Sequence, residues 1–247
     1  MAQTATRFLP VRLAAILALA ALVFGLATSW IAGGLGAWLP YSGAIPLTSL
    51  PHFLCGIAVA LAVLLAPLTS TANAPKLSLT QLAFASLFQG AMFQFFLMVT
   101  ARLVPLDPAG IALSATALAL FAFCCLLLSD VLPRAYTGVM FFWVLVLPLI
   151  CYHTADVFVY GPGGSKGWQA ESSAPIFALT HAMLALSPGT AIAATLDGAL
   201  LDNSPTLPGL TFGLLAVLAG SLTALRVRAM RQGAKSEAMI PVVGTSA

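Results

Sequence analysis

The chain has 247 residues and a formal net charge of +3, and only 7% of its residues are charged whereas 60% are hydrophobic. Its mean hydropathy is +1.02. A water-soluble core of this length cannot bury that much apolar side chain, so these values exclude a soluble fold. We expect one membrane domain over residues 1–247 whose main solvent is lipid.

Charge-free apolar stretches define the predicted elements. A helix needs about 20 apolar residues to cross a hydrocarbon core of about 30 Å. The apolar residues are consecutive rather than alternating, which favours helices over barrel strands. The sequence therefore predicts an all-α fold with six transmembrane helices, at residues 13–31, 50–68, 79–101, 109–129, 136–152 and 207–225.

Two of these stretches have features of their own. Arg7 and Arg12 precede the first one, as in a signal peptide, but its length of about 19 residues favours a retained span. The third contains Gln89 and Gln94. An amide side chain in hydrocarbon needs a hydrogen-bond partner, so we expect this helix to face other helices and these two glutamines to face the pathway.

The basic residues predict the orientation. If the N-terminus is cytoplasmic, eight of the ten Lys and Arg residues fall on the cytoplasmic side, and both termini lie there. These eight are Arg7, Arg12, Lys76, Arg134, Arg226, Arg228, Arg231 and Lys235. We interpret the basic tail after Leu225 as a stop-transfer signal with a solvated end; a contact with lipid headgroups or a partner is the alternative.

The longest predicted outer segment runs from His153 to Thr206. Its second half contains two apolar stretches of about eleven residues, each too short to span a bilayer. Pro188 and Gly189 interrupt them, so the sequence predicts an outer helical hairpin over residues 176–200 that bends there. A seventh, irregular span is the alternative, and it would place the C-terminus outside.

Motifs that carry chemistry are scarce in this sequence. The cysteines and histidines have no zinc-site spacing, and there is no nucleotide-binding loop or serine nucleophile elbow. We therefore expect no catalytic, metal or cofactor site and no enzyme activity in the chain itself. Cys55 and Cys151 both lie towards the predicted outer side, where a disulfide between them is an open alternative to free thiols.

Three short segments resemble the permease of the ABC-type-2 exporter class. Residues 65–70, Leu-Ala-Pro-Leu-Thr-Ser, resemble the Ala-Pro turn before the coupling segment of that family. Residues 128–134, Leu-Ser-Asp-Val-Leu-Pro-Arg, resemble its small loop between the fourth and fifth spans. Residues 186–190 resemble the Pro-containing break in its outer hairpin.

The resemblance implies a permease that forms a substrate pathway as a dimer, with a second copy or a similar chain. A separate ABC ATPase would drive it from the cytoplasmic side of a bacterial inner membrane, with lipids as neighbours and no nucleic acid or cofactor involved. The residues implied to couple the two proteins are Pro67, Asn73, Lys76, Asp130 and Arg134. Because residues 69–80 carry only one charge, on Lys76, a non-catalytic scaffold subunit of a larger membrane complex is the second hypothesis.

Overall fold

The computed structural model describes residues 50–69, 77–147, 187, 191–192, 195–196 and 206–238. Within these ranges the chain is mostly helical and contains no strands. The predicted all-α class is confirmed at this level, whereas the number of six spans stays a prediction. The predicted span at 13–31 lies outside the described residues, as does most of the hairpin at 176–200.

Five α-helices make up the described bundle. They are α1 (Leu50–Thr69), α2 (Leu79–Thr100), α3 (Pro108–Val131), α4 (Pro133–Phe141) and α5 (Thr206–Ala238), and a π-helical turn, Phe142–Val146, directly follows α4. The stretches Leu79–Thr100, Pro108–Val131 and Gly209–Gln232 are long and apolar enough to cross a membrane, and Leu54–Thr69 is a shorter apolar helix. These helices indicate that the chain is a membrane protein.

Local sequence explains where α2 and α3 begin. Ser78 caps α2 with a capping box, in which its hydroxyl accepts from the Gln81 N–H and the Gln81 side chain accepts from the Ser78 N–H. Asp107 caps α3 by accepting from the Gly110 N–H at 3.1 Å, and Pro108 occupies the first turn, where it needs no hydrogen-bond donor. The seven residues between these helices turn the chain back, so α2 and α3 are antiparallel neighbours.

The last helix differs most from its predicted bounds. The predicted span ends at residue 225, whereas α5 continues to Ala238. Its extension, residues 226–238, contains three Arg and three Ala, which are good helix formers, so loss of hydropathy does not end the helix. The fifth predicted span, 136–152, begins earlier than expected at Pro133 and is described only as far as Leu147.

Helix α3 is the centre of the bundle. Fifteen of its 24 residues are buried, and it packs against α1, α2, α4 and α5. At its contact with α2 the two backbones approach closely, because a Cβ on Gly90 would lie 2.8 Å from both the Ala115 carbonyl oxygen and the Ala119 Cβ. Small residues allow this approach, which is the usual way in which membrane helices gain packing.

Two polar contacts link helices of the bundle, one between α4 and α1 and one between α3 and α5. The Tyr136 hydroxyl of α4 donates to the Val63 carbonyl of α1 at 2.7 Å. The Cys124 thiol of α3 donates to the Leu215 carbonyl of α5 at 3.5 Å. Cys55 is also a buried free thiol, and Cys151, its predicted alternative partner, lies outside the described residues.

The outward surface of the bundle is apolar. Large side chains such as Leu64, Leu87, Phe141 and Val217 are 60–70% exposed to whatever surrounds the bundle. Three buried hydroxyls donate to carbonyls of their own helices: Thr100 to Phe96, Ser114 to Ile111 and Ser86 to Ala83. An apolar exterior over an internally satisfied backbone suits lipid as the surrounding solvent.

Candidate functional site

A buried ion pair joins α3 and α5 at one end of the bundle. The Arg226 Nε atom of α5 donates to the Asp130 Oδ2 atom of α3 at 2.6 Å. The same guanidinium donates through Nη2 to the carbonyl oxygen of Leu77, just before α2. We call Arg226, Asp130 and Leu77 the arginine cluster, and the end of the bundle that holds it the arginine end.

The helices place these three groups together for local reasons. Asp130 is the penultimate residue of α3, and Leu77 precedes the Ser78 capping box, which fixes the start of α2. Arg226 lies 20 residues after the first residue of α5, a rise of about 30 Å. That distance matches the thickness of a hydrocarbon core, so the arginine cluster lies where a spanning α5 would reach the membrane boundary.

Burial makes this ion pair unlike a surface salt bridge. The Arg226 side chain is 2% exposed and the Asp130 side chain 11%. The Arg226 Nη1 atom is buried and has no hydrogen-bond partner in the part of the chain that the structure describes. Because an isolated buried charge is far less stable than a paired one, each of the two residues depends on the other for its burial.

The arginine cluster connects three segments of the chain. It links the residue that follows segment 70–76, the end of α3 that leads into α4, and the last helix. A displacement of any of these three segments therefore moves the others or breaks either the Arg226–Asp130 ion pair or the hydrogen bond to the Leu77 carbonyl. Among the described residues, no group of three or more His, Cys, Asp and Glu side chains could hold a metal ion.

The predicted coupling residues lie in different places in the structure. Asp130 lies in the arginine cluster. Pro67 is exposed in the last turn of α1, and Arg134 is exposed in the first turn of α4. The hydroxyl of Thr69, two residues after Pro67, donates to the Ala66 carbonyl at 2.7 Å. Asn73 and Lys76 lie outside the described residues, so the structure describes only part of the predicted coupling surface.

The two glutamines predicted to face the pathway lie on different faces of α2. Gln89 is 4% exposed and adjoins Gly90 at the contact with α3, whereas Gln94 is exposed. Five residues of an α-helix correspond to a rotation of about 140°, so one side of the helix cannot hold both side chains. Gln89 therefore lies at the contact with α3, and the expectation that both glutamines face a pathway stays a prediction.

Arg226 is the residue that the sequence interpretation missed. The sequence predicts a solvated basic tail. Arg228 and Arg231 are exposed, as this prediction requires, whereas Arg226 is buried, so the prediction is wrong for Arg226. The error has a physical reason: hydropathy ends the span at residue 225, but the helix continues, so residue 226 still faces α3. The sequence does contain a signal for the pairing of Arg226: the acidic Asp130 lies at the end of a span that is predicted to reach the same side of the membrane as Arg226.

The opposite end of the bundle meets part of the predicted hairpin. Pro188 and Gly189 lie outside the described residues. Thr195 packs on the start of α3, where a Cβ on Gly110 would lie 2.6 Å from the Thr195 carbonyl oxygen. Ser187, Ile192 and Thr195 are fully buried. The Ala191 N–H donates to the Ser187 carbonyl at 2.9 Å, which is the spacing of a helical turn.

Comparisons with the models of known protein families, with curated proteins and with solved structures give no match.

Proposed function

We propose that the chain is the membrane-spanning permease subunit of an ABC-type exporter, which forms a substrate pathway with a second copy or a similar chain. A separate ATPase docks at the arginine end and drives it. The observation that carries the proposal is the arginine cluster. It joins Leu77, the residue that follows segment 70–76 in the sequence, to α3 and α5, so a force that reaches Leu77 acts on two membrane helices at once.

The charge distribution supports a cytoplasmic position of the arginine end. The arginine end also carries the exposed Arg134, Arg228 and Arg231, and basic residues next to spans favour the cytoplasmic side. A cytosolic ATPase would therefore meet this end first, in the inner membrane of a bacterium. The apolar helices that surround the pathway suit an amphiphilic, lipid-like substrate.

Site-specific photocrosslinking tests the proposal. A photoreactive amino acid replaces Lys76, which directly precedes Leu77 in the sequence. In a matched variant it replaces Leu103, which is 51% exposed in the turn between α2 and α3 at the other end. We expect Lys76 to capture a soluble nucleotide-binding subunit and Leu103 to capture none. Capture of integral membrane chains alone from Lys76 would instead support the scaffold hypothesis.

A further inference from the structure

Pro67 leaves one carbonyl group of α1 without its usual helical donor. In an α-helix the N–H of each residue donates to the carbonyl four residues earlier. Pro67 lies inside α1, two residues before the last residue, Thr69. Because proline has no N–H and its ring crowds the carbonyl four residues before it, the Val63 carbonyl cannot receive a backbone hydrogen bond from position 67.

The hydroxyl of Tyr136 supplies the missing donor. It donates to the Val63 carbonyl at 2.7 Å, across 73 residues of sequence. The Tyr136 side chain is 4% exposed, so it is held within the bundle. An unpaired backbone carbonyl is costly in a membrane protein, where water is scarce. The backbone of α1 therefore depends on a side chain of α4 for one of its hydrogen bonds.

The end of α1 has few other contacts with the bundle. Within the described residues, α1 packs against α3 and α2 and makes little backbone contact with α4. Beyond Val63, the main hydrophobic core contains only Ala66 from the described part of this helix. Pro67 and Leu68 are exposed. The hydrogen bond from Tyr136 is thus a principal link between the end of α1 and α4.

Helix α4 is bounded by an irregular backbone on both sides. It begins at Pro133, after Leu132, whose φ of −129° and ψ of 57° are not helical and whose side chain makes no capping hydrogen bond. It ends at the π-helical turn Phe142–Val146. Prolines and π-helical turns are the usual places where a helix changes direction. Both partners of the Tyr136–Val63 hydrogen bond therefore lie next to a place where their helix can bend.

We propose that Pro67 is a hinge in α1 and that the Tyr136 hydroxyl holds this hinge closed. In the closed state the Val63 carbonyl accepts the Tyr136 hydrogen bond, and residues 64–69 stay beside α4. When α4 moves away, the carbonyl loses its donor and residues 64–69 change direction relative to the rest of α1. The hinge goes beyond the proposed function, since it operates equally in a permease and in a scaffold subunit.

Distances measured by pulsed electron paramagnetic resonance test the hinge. Spin-labelled unnatural amino acids replace Leu68, which is 50% exposed at the end of α1, and Val217, which is 70% exposed on α5. The full-length chain is studied in lipid nanodiscs and diluted with unlabelled protein, so that only distances within one chain contribute. We expect one dominant distance with Tyr136 present. Tyr136→Phe should raise the ratio of open to closed chains roughly 2- to 10-fold, the effect of losing one hydrogen bond, and add a second distance.

A rescue variant distinguishes the hinge from simple packing of Tyr136. In Tyr136→Phe/Pro67→Ala, position 67 gains a backbone N–H that can donate to the Val63 carbonyl, so the single distance should return. The matched control is Tyr136→Phe/Pro108→Ala. Pro108 is exposed in the first turn of α3, where a helix needs no donor, so the second distance should persist. The proposal is overturned if Tyr136→Phe leaves the distances unchanged, or if the two proline substitutions act alike.

Thermal unfolding of the same variants gives a second measure. Tyr136→Phe should lower the unfolding temperature when Pro67 is present, and by less than half as much in the Pro67→Ala background, because the Val63 carbonyl then has a backbone donor. Such non-additivity is the expected result for two residues that act on one group. Equal losses in the two backgrounds would overturn the link between Pro67 and Tyr136.

Discussion

At the scale of single residues, burial decides which charges matter. Arg226 and Arg228 are two residues apart, yet Arg226 is buried and paired with Asp130 whereas Arg228 is exposed. An exposed cation contributes little to stability, while removal of one member of a buried pair leaves an uncompensated charge. Substitutions of these two arginines should therefore have very different effects.

We expect Arg226→Ala to destabilise the protein by roughly 3–5 kcal/mol, the range for breaking a buried ion pair. Arg228→Ala should have almost no effect. The measurement is thermal unfolding of the purified chain in mild detergent. The double variant Asp130→Ala/Arg226→Ala should be less destabilised than the sum of the two single variants, because it leaves neither charge alone. Strict additivity would show that the pair is not coupled.

A weaker effect is expected for the hydroxyl of Tyr136. Tyr136→Phe removes the hydrogen bond to the Val63 carbonyl and keeps the ring packing between α4 and α1. A hydrogen bond of this kind contributes about 0.5–1.5 kcal/mol. The same unfolding assay should therefore show a small loss of stability, well below that of Arg226→Ala, and a loss of equal size would contradict this ranking.

At the scale of helices, close packing at Gly90 determines how α2 and α3 fit. Gly90→Ala would place a methyl group 2.8 Å from the Ala115 carbonyl oxygen and the Ala119 Cβ. Such overpacking costs about 1–3 kcal/mol. The unfolding temperature should fall, although alanine is the better helix former.

The control for this substitution is Gly138→Ala, where the added methyl group meets nothing within 4 Å. It gains the same helix propensity, up to about 1 kcal/mol, without a clash. Gly138→Ala should therefore be neutral or stabilising. If the two alanine variants behave alike, the α2–α3 contact is looser than the structure shows.

The helices were more predictable than their contacts. A charge-free apolar stretch predicts a helix wherever it occurs, and the bounds of α1, α2 and α3 lie within two residues of the predicted spans 50–68, 79–101 and 109–129. Contacts between helices depend on residues far apart in the sequence, such as Asp130 and Arg226. The burial of Gln89 but not of Gln94 depends likewise on which side of α2 meets α3, and hydropathy carries no such information.

At the scale of the whole molecule, the proposed topology makes the arginine end cytoplasmic. A reporter that is active only in the cytoplasm, fused after Ala247, should be active because most basic residues lie on that side. The same reporter inserted after Gly164 should be inactive. Activity at Gly164, or none at the C-terminus, would reverse the orientation and remove the arginine end from the reach of a cytosolic ATPase.

The proposed role as a permease depends most directly on the identity of the partner. The arginine cluster supplies a connection from segment 70–76 to α3 and α5, but only a partner with its own energy source can use that connection for transport. The decisive measurement is mass spectrometry of the chains that co-purify with the full-length protein in mild detergent. We predict a soluble ATPase in stoichiometric amount; a complex that contains only integral membrane or electron-transfer subunits would contradict the account.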